Sequence, residues 1–138
     1  MRFMIMVKAT PETEAGVMPA DDALMAAMAA YHEQLAQAGV LLDAAGLKPT
    51  AKGWKIRYRN GERTVIDGPF AETKELIAGY TLIQVRSREE AMEWARRFPP
   101  PMGARADAEI DVRQLYEPEE IEAAVAKNSS RELPEPKA

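Results

Sequence analysis

A single histidine, His32, and no cysteine bound the chemistry this chain can do. Without thiols there is no disulfide framework, no thiolate metal site and no cysteine nucleophile. One imidazole also leaves no nitrogen set for zinc or iron, so neither a metal nor a cofactor is expected. Histidine is the side-chain type that exchanges protons near neutrality, which makes His32 the natural general acid or base of a proton-transfer reaction. Asp67 is the second catalytic candidate, because a carboxylate at a strand end beside a rigid turn can take a proton or orient a ligand. Each has a structural alternative. His32 lies about 60° from the centre of the stripe formed by Leu24, Met28, Tyr31 and Leu35, which suits a histidine at the edge of a core. Asp67 could instead accept the N–H groups of the turn at residues 68–70.

Four further residues could bind a ligand. Lys74 would pair an anion as a point charge, with Glu72 beside it. Arg57 and Arg113 would offer planar forks to a carboxylate or phosphate. The alternative is that Glu72 and Lys74 belong to a solvated surface run, and that the arginines sit in exposed cross-strand pairs. No Gly-rich phosphate loop, Gly-x-Ser-x-Gly elbow or His-Glu-x-x-His helix is present. Proton transfer on a small organic molecule, without a cofactor, is the enzymatic chemistry left open. Eighteen basic residues against 22 acidic ones give a net charge of -4, the wrong sign for a phosphate backbone, so no nucleic-acid partner is expected. No stretch approaches the ~20 apolar residues that span a bilayer, and with no leader pattern at Met1 a cytoplasmic location is expected.

The elements that must position these groups can be read from periodicity. Phe3 to Val7 is apolar on both alternating sets, as a central strand would be. Asp21 and Asp22 open a helix that runs to about Ala38, where Gly39 ends it. Val40 to Leu42 start a second strand. Trp54, Ile56 and Tyr58 alternate with Lys55, Arg57 and Arg59, and Asn60-Gly61 supplies the positive φ angles of a two-residue hairpin returning through residues 62–66. In that register Arg59 faces Glu62 and Ile56 faces Val65. Leu76 to Val85 reads as another two-sided central strand. Ser87 and Glu90 form a capping box for a helix burying Ala91, Trp94, Ala95 and Phe98, which Pro99-Pro100-Pro101 stops. A last strand, about Ala108 to Tyr116, separates Ile110 and Val112 from Glu109, Asp111 and Arg113.

The order is β-α-β, an inserted hairpin, then β-α-β. This is an α+β, ferredoxin-like βαββαβ plan with two helices on one face of an antiparallel sheet. The inner strands are apolar on both sides, yet no third long helix is available for the second face. A second copy is the simplest cover, and two sheets face to face would make a homodimeric α/β barrel with small-molecule pockets between helix, sheet and hairpin.

The run Asp67-Gly68-Pro69-Phe70-Ala71-Glu72-Thr73-Lys74-Glu75, continued by Ile77-Ala78-Gly79-Tyr80, resembles the DGPF branch of the YCII-related proteins, and the resemblance extends from Met1 to roughly Tyr116. It implies a dimeric α/β barrel in a mostly bacterial family whose members largely lack an assigned reaction, some being associated with extracytoplasmic-type sigma factors. In the wider group a His-Asp pair has been suggested as catalytic, with its histidine on the first helix about a turn earlier than His32, near Met28. The pair is therefore not carried over. The domain is expected at 1–116, a short helix at 117–126 and a flexible tail at 127–138. Two functions stand: a small-molecule binding protein or cofactor-independent enzyme, and a regulatory or interaction module linked to sigma-factor transcription.

Overall fold

A computed structural model describes residues 1–19 and 21–130 of the chain. A four-stranded antiparallel sheet is built from β1 (Arg2–Lys8), β2 (Leu41–Gly46), β5 (Ile77–Gln84) and β6 (Ile110–Gln114), in the order β2-β5-β1-β6. β3 (Trp54–Arg59) and β4 (Glu62–Asp67) form a separate two-stranded hairpin between β2 and β5. The order and the antiparallel pairing are consistent with the ferredoxin-like plan. β1 and β5, the strands apolar on both faces, occupy the two central places because only there can both faces find cover.

Two long helices, α2 (Asp22–Gln37) and α3 (Arg88–Arg96), pack on one face of this sheet. Asp21 caps α2 by accepting the Ala23 N–H at 2.8 Å, and Ser87 caps α3 by accepting the Glu90 N–H at 3.1 Å. The Glu90 carboxylate reaches back to the Arg86 N–H, one residue before the cap itself. Between helices and sheet lies the core of Phe3, Ile5, Leu35, Ile83 and Val85, closed by Tyr31 and Phe98. Tyr31 joins the helices directly, donating its hydroxyl to the Trp94 carbonyl at 2.7 Å. The opposite face carries Met4, Met6, Tyr80 and Leu82, all half-buried within one chain.

The hairpin has the expected register, Ile56 opposite Val65 and Arg59 opposite Glu62, with Asn60 and Gly61 at φ of 52° and 77°. Its apolar residues Trp54, Ile56, Tyr58 and Val65 are exposed. Three short elements depart from the sequence reading. The loop expected around Pro11 contains α1 (Pro11–Glu14), capped by reciprocal bonds between Thr10 and Thr13. Single 3-10 turns occupy Thr50–Lys52 and Thr73–Glu75. The last helix, α4 (Pro118–Ser130), runs four residues past the expected end at 126, so residues 127–130 are helix rather than tail. The rest of the expected tail, 131–138, lies outside the described residues. Among the described residues no helix is long and apolar enough to cross a membrane.

Candidate functional site

A cavity of about 720 Å³ lies between the first half of α2 and the ends of β2 and β5. Its origin is in the sequence. Register pairs Ala44 with Thr81 and Gly46 with Gly79 on the sheet face under α2, so the positions that would fill this space carry small side chains or none. Glycine inside a strand commonly marks such a close approach. The other walls are Leu24, Met25 and Met28 of α2, the loop at residues 13–19, and the Leu47-Lys48-Pro49 segment after β2. Val17, Met18 and Met25 at the rim are 58%, 73% and 57% exposed, an apolar mouth open to solvent.

His32 lines this cavity, half-buried, against the edge of Phe98. Its Nδ1 lies 2.8 Å from the Met28 carbonyl oxygen and its Nε2 lies 2.8 Å from Thr81 Oγ1. A carbonyl can only accept, so Nδ1 carries a proton. In the neutral ring Nε2 is then the bare nitrogen, accepting from the Thr81 hydroxyl. Thr81 is 2% exposed and is the buried polar residue of the core, and its partnership with His32 accounts for its presence there. A hydroxyl, an imidazole and a carbonyl that fixes the imidazole's tautomer thus form a chain ending at the cavity wall. It resembles the arrangement in which a base is oriented by a third group. Next to it, burial pushes the Tyr31 hydroxyl up to about 12, with the Arg97 charge opposing. Tyr31 therefore remains a neutral donor to Trp94.

The Asp-Gly-Pro-Phe turn supports the cavity from behind. Gly68 packs so closely on the Thr50–Lys52 turn that a Cβ there would lie 1.7 Å from the Thr50 carbonyl oxygen. Only glycine fits. The Gly68–Pro69 bond is cis. Thr50 Oγ1 accepts the Phe70 N–H at 2.9 Å and donates to Glu14 Oε2, while Glu14 Oε1 accepts the Thr50 N–H at 3.1 Å. Glu14 at the end of α1 is thereby tied to Thr50, one residue beyond the Pro49 wall. The two loops on either side of the cavity mouth are fastened together, and the turn fastens both. Lys55 adds a cation–π contact, its Nζ 4.2 Å from the Phe70 ring centroid.

The other candidates stand elsewhere. Asp67 is exposed at the end of β4, and the turn's N–H groups do not go to its carboxylate: Gly68 donates to the Gly53 carbonyl at 3.0 Å and Phe70 to Thr50. Its expected capping role is taken by residues some fifteen to twenty positions earlier. Glu72 and Lys74 are exposed around the Thr73–Glu75 turn, and Arg57 is exposed on the hairpin. Arg113 is exposed on β6 opposite Met4, on the face away from the helices. None of these five lines the cavity. On that same face Asp111 pairs with Lys8 at 3.3 Å. Glu14, Thr50 and Thr81 escaped the sequence reading. The first two lie in a four-residue helix and a 3-10 turn too short for periodicity, and Thr81 stands out in the sequence only as a polar exception, with Gln84, in an apolar strand. Paired strand glycines were the one available signal.

Among the described residues no group of three or more His, Cys, Asp or Glu is placed to hold a metal ion. The family model described as the YCII-related domain matches residues 1–113. An uncharacterised protein of Rhizobium meliloti (strain 1021) is 36% identical over 101 residues, which cover 73% of this chain and 82% of that relative.

Proposed function

We propose, from the premise that the chain belongs to the YCII-related domain family, that it binds a small organic molecule beneath α2 and converts it by acid–base chemistry at His32. The observation that carries this reading is the fixed tautomer: Nδ1 is committed to the Met28 carbonyl, so Nε2 is the basic atom at the wall of an apolar cavity. A cavity of several hundred Å³ with few, convergent polar groups is the usual form of a ligand site. A proton leaving a bound carbonyl compound would pass to Nε2, with Thr81 yielding or relaying it. The imidazolium keeps its Nδ1–H on Met28. Returning the proton to another atom of the same molecule completes an isomerisation with no cofactor.

The experiment is deuterium exchange. Carbonyl compounds that shift the amides of Gly46, Gly79 and Thr81 on binding should lose their α-proton to D2O in the presence of the protein. His32→Gln should keep the binding and slow the exchange by about 10²-fold or more. Equal exchange by both proteins would remove His32 from the chemistry.

The motif Asp67-Gly68-Pro69-Phe70 supports membership of the DGPF branch, and the half-buried apolar face of Met4, Met6, Tyr80 and Leu82 supports a homodimer closed across the sheet. In such a dimer Arg113 would face the partner, and Asp67, Glu72, Lys74 and Arg57 would contribute to a ligand site only through an assembly that brings them to it. The regulatory reading has no corresponding observation in its favour.

A further inference from the structure

We infer that the ligand of this cavity is an amphipathic organic acid, its anionic group held at the mouth by Lys48 and its apolar body lying under α2. The inference rests on the binding reading above and adds the ligand's charge and shape. Among the described residues no aspartate or glutamate lines the cavity, and Lys48 is the one lysine or arginine that does. Among the described residues Lys48 has no carboxylate within ion-pair distance, unlike Arg2 and Lys8, which are paired with Glu117 and Asp111. Of the acids near this loop, Glu14 is already engaged, accepting the Thr50 N–H and hydroxyl, while Glu12 and Asp107 line a second, smaller cavity of about 430 Å³ across the loop. An anion is repelled from that side and attracted to the Lys48 side.

The shape follows from the strand. Ala44 lies beside Thr81, and Lys48 is four residues further along the chain, two of them beyond the end of β2, so at most about 13 Å away at ~3.3 Å per residue. A molecule with its acid group at Lys48 and its far end at the His32–Thr81 pair is therefore elongated. Between those ends the walls are Met18, Met25, Met28 and Leu47 against the two glycines. Unbranched thioethers of this kind adjust to the outline of an apolar body. The body supplies most of the affinity by leaving water, and an exposed lysine supplies the preference for one sign of charge.

The test compares octanoate with octan-1-ol, alike in chain and different in charge, by amide NMR titration of the full chain at neutral pH. Both should shift Gly46, Gly79 and Thr81, with octanoate bound about fivefold more tightly. Lys48→Gln should erase that difference while leaving octan-1-ol binding unchanged, and Lys48→Arg should keep it. Equal affinities in the wild type, or an octanoate preference that survives Lys48→Gln, would overturn the inference while leaving the cavity as a binding site. Absence of shifts at those amides with either compound would overturn both.

Discussion

Tyr31 and His32 are adjacent in sequence and are held by different partners, Tyr31 by the α3 carbonyl of Trp94 and His32 by Thr81 of β5. The helical stripe made Tyr31 a core residue and His32 a boundary one, and both positions were legible because 100° per residue fixes which way a side chain leaves α2. Thr81 and the Met28 carbonyl were not legible, since a 49-residue separation from His32 to Thr81 is bridged only by the fold. Two outcomes follow at this scale. The 15N shifts of the neutral His32 ring should show a protonated Nδ1 and a bare Nε2; the opposite tautomer would contradict the hydrogen-bond assignment. Tyr31 ionises near 10 in the unfolded chain and at about 12 in the folded one, so the folded state holds its proton longer. Its contribution is intact below pH 10 and is lost as pH rises from 10 to about 12, on the order of 2 kcal/mol. Urea denaturation across that range should show the loss, and Tyr31→Phe should flatten that part of the profile.

The hairpin and the 3-10 turn it leans on show why some elements announce themselves and others do not. Asn60-Gly61 between alternating strands is a local signal, complete within a dozen residues. The Thr50–Lys52 turn owes its place to Glu14, Gly68 and Phe70, none of which is near it in sequence. α1 did carry a signal, a threonine three residues before Thr13 with proline at its first helical position, though a four-residue helix leaves no period to detect. Gly68→Ala should cost about 2–3 kcal/mol by thermal or urea unfolding, because the added methyl group meets backbone that must move. Thr50→Val leaves the Phe70 N–H and the Glu14 carboxylate without that partner and should cost about 1–3 kcal/mol, with weakened binding at the cavity mouth. At the other end of the chain, the Arg2 guanidinium bonds the Glu117 carboxylate at 3.2 Å and holds it below the usual 4.5. A depressed carboxylate contributes above 4.5 and loses that contribution as pH falls through its lowered value. Amide protection at the start of α4, referred to the intrinsic exchange rate at each pH, should therefore fall below pH 4.5 ahead of that of the sheet, and Arg2→Gln should remove the difference.

At the scale of the molecule, strand order and helix placement could be read because two-sided apolar strands must be central and right-handed crossovers leave few ways to arrange them. The cavity could not, since it arises where register sets Gly46 against Gly79 beneath a helix that does not fill the space. The open face of Met4, Met6, Tyr80 and Leu82 belongs to the same scale: sedimentation equilibrium at micromolar concentration should report a dimer, and Leu82→Arg should yield a folded monomer. A wild-type monomer would remove the proposed barrel without touching the cavity. The central claim concerns the cavity itself, and a crystal structure of the full chain with a bound carbonyl-containing acid tests it most directly. The expected result is one molecule lying between Met28 and Ala44, with an oxygen in hydrogen-bond reach of His32 or Thr81. Ordered water alone in that space, with the acid on the hairpin or the open sheet face, would contradict it.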